Sequence, residues 1–198
     1  MKSQNPSFAK KIVIFASGTG TNTENIINYF NPRDHVKVVH VLSNNKSAKV
    51  LQKAHELEVS ALYFDKAALY DTKEVLNILK DTNPDLIVLA GFLWMLPKHI
   101  LQNFPNKIIN IHPALLPKYG GKGMYGMRVH QAVVENKDLK SGITIHYVNE
   151  HYDEGEIIAQ FETELSPNET AEQIAAKIHQ LEHEHFPRVI ENLLFPEE

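Results

Sequence analysis

Short apolar runs alternate with segments whose apolar residues recur every three or four positions, and this alternation organises the chain as far as about residue 137. KIVIFA (residues 11–16) has no polar residue after its first, so it predicts a strand covered on both faces. SGTGTN follows at once and leads into the helical pattern TENIINYF, giving strand, glycine turn, helix. VKVVHVL (36–42) predicts a second strand, SNNKSAKVLQKAHELE (43–58) a helix, ALYF (61–64) a brief strand and KEVLNILKDT (73–82) a helix. DLIVLAGF (85–92), opened by Pro84, and KIINI (107–111) are further apolar strands. A loop rich in glycine and proline, 112–124, then precedes a helix about GMRVHQAVVENK.

Beyond that helix the period changes. SGITIHYV and EGEIIAQFETEL alternate like half-exposed strands and are joined by the polar NEHYDE, so they predict a hairpin or a neighbouring pair. NETAEQIAAKIHQLEHEHFPRVIENLL predicts a long amphipathic helix capped by Asn168 or Thr170. Strands alternating with helices imply a parallel sheet with right-handed crossovers. The expected fold is therefore α/β: one Rossmann-like domain over residues 1–198, with a mostly parallel sheet, a mixed edge, helices on both faces, and residues 1–10 as a flexible extension.

Composition narrows the chemistry. A formal net charge of −4 without a basic run argues against nucleic-acid binding, which needs a face that neutralises phosphates. The chain has no cysteine, which excludes disulfides, thiolate zinc sites and thiol catalysis. Its N-terminus lacks an apolar signal core, and no window approaches the roughly 18 apolar residues of a membrane span. A cytoplasmic protein without nucleic-acid or membrane partners is expected.

SGTGTN stands where an open α/β sheet binds anions, because free N–H groups at a helix start point outward with the helix dipole behind them. The dinucleotide pattern G-x-G-x-x-G fails at Thr23, and Ser43, Asn44 and Asn45 replace the acidic residue expected after strand two. No G-x-x-x-x-G-K-[ST] occurs either. A single phosphate held by Gly20, Thr21 and Asn22 remains, alongside the plain reading of a glycine turn.

Asn110 and His112 end an apolar strand and, lying two apart, point to one side. A carboxamide donor beside an imidazole suits the oxyanion of acyl transfer, and Asp153, in the polar turn after ITIHYV, is the candidate to orient that imidazole. Asn and His also terminate strands by bonding backbone, so spacing alone leaves both readings open.

SGTGTN, DLIVLAGFLWMLP, INIHPALLPKYGG, SGITIHYVNEHYDEGEII and LEHEHFPRVI, in this order over about residues 11–195, resemble the glycinamide ribonucleotide formyltransferases of purine biosynthesis. The signature N-x-H-P-S/A-L-L-P with a downstream D-x-G is shared with the wider group of folate-dependent formyltransferases. The resemblance implies that Asn110, His112 and Asp153 are catalytic, that Gly20, Thr21 and Asn22 hold the acceptor phosphate, and that Glu182 contacts the acceptor amine or ribose. It implies 10-formyltetrahydrofolate as co-substrate, flanked by Phe92, Leu93, Trp94, Met95 and Leu96 and by Val148, Asn149 and Glu150, with no metal, in a monomer or weak homodimer. Trp94 stands where many members carry arginine, and the loop KYGGKGMYGMRVHQAV is longer than the compact form.

HQLEH (179–183) matches the inverted zincin pattern H-x-x-E-H, a metal-hydrolase rival with no third ligand marked. Formyl transfer to a sugar amine or to aminoacyl-tRNA are rivals within the same chemistry, and the acidic balance argues against tRNA. A non-catalytic phosphate-binding module is the rival from outside it.

Overall fold

The computed structural model describes residues 9–196. Of the extension expected over 1–10, residues 1–8 lie outside the described residues, and Lys10 already belongs to the first strand. The strands are β1 (Lys10–Phe15), β2 (Val36–Ser43), β3 (Ser60–Tyr63), β4 (Leu86–Leu89), β5 (Ile108–His112), β6 (Lys140–Tyr147) and β7 (Ile157–Glu164). The helices are α1 (Thr21–Phe30), α2 (Lys49–Glu56), α3 (Glu74–Thr82), α4 (Lys98–Asn103), α5 (Met127–Glu135) and α6 (Ala171–Leu194). They build one sheet of seven strands in the order β3-β2-β1-β4-β5-β6-β7. β1 to β5 run parallel, and β6 and β7 add the antiparallel edge.

Burial explains the patterns. Every residue of β4 is buried, and alternate residues feed opposite faces: Ile12, Ile14, Leu86 and Val88 join a core with α1, α2 and α6, whereas Val13, Phe15, Ile87 and Leu89 join one with α3 and α4. The edge strand β7 alternates between exposed and half-buried positions. The order in which strands are added reverses at β1: β2 and β3 lie on one side of it, and β4 and β5 on the other. Such a switch point opens a crevice at the carboxyl ends of the strands.

Several boundaries differ from expectation. The helix predicted over 43–58 begins only at Lys49, because side-chain oxygens hold a turn before it: Asn45 N donates to Ser43 Oγ at 3.2 Å and Ser47 N to Asn45 Oδ1 at 3.0 Å. β4 ends at Leu89 rather than Phe92, since Gly91, at φ 70°, turns the chain. A five-residue π-helical turn, Ala67–Asp71, and the short α4 carry too few residues to show a period. α6 starts with a reciprocal capping box at Thr170, not Asn168. Pro187 sits inside α6 and offers no N–H to the carbonyl four residues back; that carbonyl, of His183, instead accepts from Asn25 Nδ2 at 2.9 Å. The helix stays continuous over 24 residues with its proline buried.

Candidate active site

A cavity of about 810 Å³ opens at the switch point, lined by the loops after β1 and β4, the end of β5, the glycine-rich segment 121–128, and residues of α5 and α6. Ser17 ties the first two loops together: its Oγ accepts from Leu93 N at 2.9 Å and its N–H donates to Gly91 O at 3.1 Å.

At one end lies the start of α1. Gly20 precedes the helix at φ 74°, and no side chain caps the N–H groups that follow. Those groups, with the helix dipole behind them, are suited to receive an anion. Glycine is required here, because a β-carbon would collide with Val50 of α2 and the left-handed backbone disfavours other residues. Asn22 donates through Nδ2 to Glu182 Oε2 at 2.9 Å, and His179 Nδ1 approaches the same oxygen at 3.0 Å. Glu182 is 5% exposed, and its Oε1 makes no hydrogen bond among the described residues. The bond to Glu182 raises the pKa of His179 against the opposing effect of burial.

At the other end Asn110, His112 and Asp153 converge. Asp153 Oδ2 stands 3.5 Å from His112 Nδ1, and its Oδ1 lies 3.5 Å from Asn110 Nδ2. His112 Nε2 lies 2.7 Å from the Tyr119 carbonyl, which can only accept, so Nε2 carries the proton and the Nδ1 edge turns toward Asp153. The same logic orders His146. Its Nδ1–H donates to Tyr147 O at 2.9 Å, which in the neutral ring leaves Nε2 to accept from Asn110 Nδ2 at 3.0 Å. One Asn110 amide proton is thus held by His146, while the other leans on Asp153 at a length that a better acceptor could displace.

The D-x-G pattern follows from this packing. Asp153 adopts φ 55°, a left-handed conformation that aspartate tolerates better than most residues. Gly155 packs so closely on the Tyr147 carbonyl that a β-carbon would drive away the acceptor anchoring His146. Burial alone would raise the Asp153 carboxyl, but the His146 contact, the charge of His112 and the Gly121 N–H at 2.9 Å hold it below the usual carboxylate value. Burial lowers the His112 pKa, with Asp153 and the Tyr119 carbonyl pulling it back.

Of the residues expected to flank a folate, Phe92 and Leu93 line the cavity. Leu96 lies in the core at 3% exposure, and Val148 packs against the same core. Trp94 stands outside the lining, edge-on to Phe64 with Lys66 Nζ 5.7 Å from its ring centre. Met95 accepts from Tyr70 Oη through its carbonyl, Asn149 accepts from His151 N, and Glu150 pairs with Lys98 at 2.8 Å. In HQLEH, Glu182 is buried while His183 is exposed, and no group of three or more potential metal ligands gathers among the described residues. The sequence reading passed over His130 and the Tyr119 carbonyl, and took up His179 only as a metal-ligand candidate in HQLEH. The first had a legible signal: a histidine beside Val129 on the buried face of α5.

The Formyl transferase family profile matches residues 10–190. The chain is 37% identical to phosphoribosylglycinamide formyltransferase, chloroplastic, of Arabidopsis thaliana over 91% of its own length, spanning 64% of that protein. It is 34% identical to the phosphoribosylglycinamide formyltransferase of Bacillus subtilis, over 93% of this chain and 95% of that one. The crystal structure of phosphoribosylglycinamide formyltransferase from Bacillus halodurans superposes with a TM-score of 0.84 at 32% identity, over 96% and 97% of the two chains. The switch-point sheet, its antiparallel edge and a family match that spans both ends of the cavity agree, and the chain belongs to the formyl transferase family.

Proposed function

We propose that the protein transfers the formyl group of 10-formyltetrahydrofolate to the amine of glycinamide ribonucleotide, as a phosphoribosylglycinamide formyltransferase of purine biosynthesis. One observation carries this reading: a single cavity joins an uncapped helix start beside Glu182 to a cluster of Asn110, His112 and Asp153. A phosphorylated amine can span those two ends.

In this reading the acceptor phosphate binds the backbone at Gly20, Thr21 and Asn22, and Glu182 Oε1 accepts from the ribose or the amine. The pterin lies by Phe92 and Leu93. Trp94, Met95, Leu96 and Val148 back that wall, and Asn149 and Glu150 continue it past the turn.

The amine nitrogen attacks the formyl carbon, and the carbonyl electron pair moves to oxygen. Asn110 meets that oxyanion by exchanging its long contact to Asp153 for a short hydrogen bond. His112 reaches it with Nε2–H once the Tyr119 carbonyl is released, and protonation at Nδ1 is stabilised by Asp153. Collapse breaks the bond from the formyl carbon to N10 of the folate. The proton lost by the amine passes through water held by Asp153 and His112 to that nitrogen.

Mixing the protein with 10-formyltetrahydrofolate and glycinamide ribonucleotide and following released tetrahydrofolate by absorbance tests the assignment. Turnover that needs the ribonucleotide is expected. Turnover with a sugar amine in its place would move the acceptor assignment, and none with either would reduce the site to a binding module.

A further inference from the structure

We propose that His130 is a further acceptor-binding residue, whose imidazole hydrogen-bonds the middle of the acceptor between phosphate and amine. The inference rests on the functional reading above and extends it to a side chain that the family motifs leave out.

His130 projects from the buried face of α5 beside Val129 and Val133, lines the cavity, and is 3% exposed. Its Nδ1 is shut off from water with no hydrogen-bond partner, and its Nε2 makes no hydrogen bond among the described residues. A histidine recruited only to fill the core would bond a nearby backbone or side-chain group, as His146 does with Tyr147, since an unmet buried nitrogen costs free energy. Nε2, the ring nitrogen that is not shut off, is the atom a molecule entering the cavity can meet.

Its neighbours place it between the two ends. The charges of His179 and Glu182, from the phosphate end, and of His112, from the reaction end, all act on it. Burial pushes its pKa down, His179 and His112 push the same way, and Glu182 opposes them, so the ring stays neutral near pH 7. A neutral imidazole brings no charge to a phosphate, and its open nitrogen can bond a hydroxyl or a secondary amide as donor or acceptor. Glycinamide ribonucleotide carries both matching groups, ribose hydroxyls and the glycinamide amide, between its charged end and its nucleophile.

His130→Phe keeps the ring volume and removes both hydrogen-bonding atoms; His130→Gln restores a donor and an acceptor. Titration calorimetry of glycinamide ribonucleotide into the protein without formyl donor should show a Kd for the Phe variant about three- to tenfold higher than wild type, the worth of one neutral hydrogen bond. The Gln variant should recover part of that loss, and the KM for 10-formyltetrahydrofolate should hold in both. An acceptor lacking both the 2′ and 3′ hydroxyls separates the two partners: the Phe penalty vanishes if a hydroxyl is the contact and persists if the amide is. Unchanged acceptor affinity in a folded Phe variant, or equal losses for donor and acceptor, would overturn the proposal; if the Phe variant does not fold, a Gln variant with donor and acceptor constants equally weakened does the same. Wild type that fails to bind glycinamide ribonucleotide would instead overturn the functional reading.

Discussion

The two ends of the cavity meet charge by different means. At the helix start, the proposed phosphate end, the open groups are backbone N–H groups of α1, set by Gly20 packed on Val50, so they depend on the turn more than on side-chain chemistry. At the reaction end the groups are side chains whose orientations depend on one another: Tyr147 O fixes His146, His146 holds Asn110, and Asp153 meets both Asn110 and His112. The first end is built from secondary structure and the second from a hydrogen-bond network. A backbone site should fail through folding and binding, and a network through the chemical step.

The largest effect should come from breaking the network at its donor. Asn110→Ala removes the proposed oxyanion donor, and kcat should fall on the order of a hundredfold or more, with Tm and the acceptor KM little changed. Steady-state kinetics with a thermal melt will show whether the loss lies in kcat, as the comparison requires. Gly20→Ala attacks the other end. It forces a left-handed backbone on alanine and pushes its β-carbon into Val50, so it should destabilise the fold by about 1–3 kcal/mol and raise the acceptor KM, while the kcat of the folded fraction is largely kept. Denaturant unfolding beside acceptor titration separates the two contributions.

A smaller shift is expected from Asp153→Asn in the pH profile, apart from its loss of rate. In the native site burial lowers the His112 pKa and the Asp153 carboxylate opposes that fall. Removing the negative charge leaves only the Tyr119 carbonyl and Glu182 to oppose burial, so the limb of kcat/KM set by His112 should move to lower pH. Movement to higher pH would mean that another group sets that limb. The smallest effect belongs to neither end. Thr170→Ala deletes the capping box of α6 a full three turns before Glu182 and should cost about 1 kcal/mol of stability without changing kcat or KM, as chemical denaturation and the standard assay will show.

The same contrast explains what could be read from the sequence. Strand and helix periods follow from which faces are buried, so β1, β2, α1, α3 and the β6–β7 pair stand within a few residues of their predicted places. Local competition escaped that reading: the Ser43 and Asn45 side chains delay α2, and Asn25 supplies the partner that lets α6 run through Pro187. The backbone end was legible because a glycine turn between strand and helix is a local pattern. Asn110 and His112 were legible as polar residues closing an apolar strand. Their meeting with Asp153, 41 residues beyond His112, depends on β5 pairing with β6, which periodicity does not reveal. The Tyr119 carbonyl carries no side-chain signature at all, and the outward placement of Trp94 is set by packing against Phe64 and Tyr70.

The central claim is that one acceptor bridges both ends, and comparing glycinamide ribonucleotide with the same molecule lacking its phosphate tests it most directly. If the α1 amides hold that phosphate while its amine stands at Asn110, removing it discards charge-assisted hydrogen bonds, and kcat/KM for formyl transfer should fall at least tenfold. Equal kcat/KM for the two acceptors would contradict the account, because the helix start would then have no part in holding the acceptor.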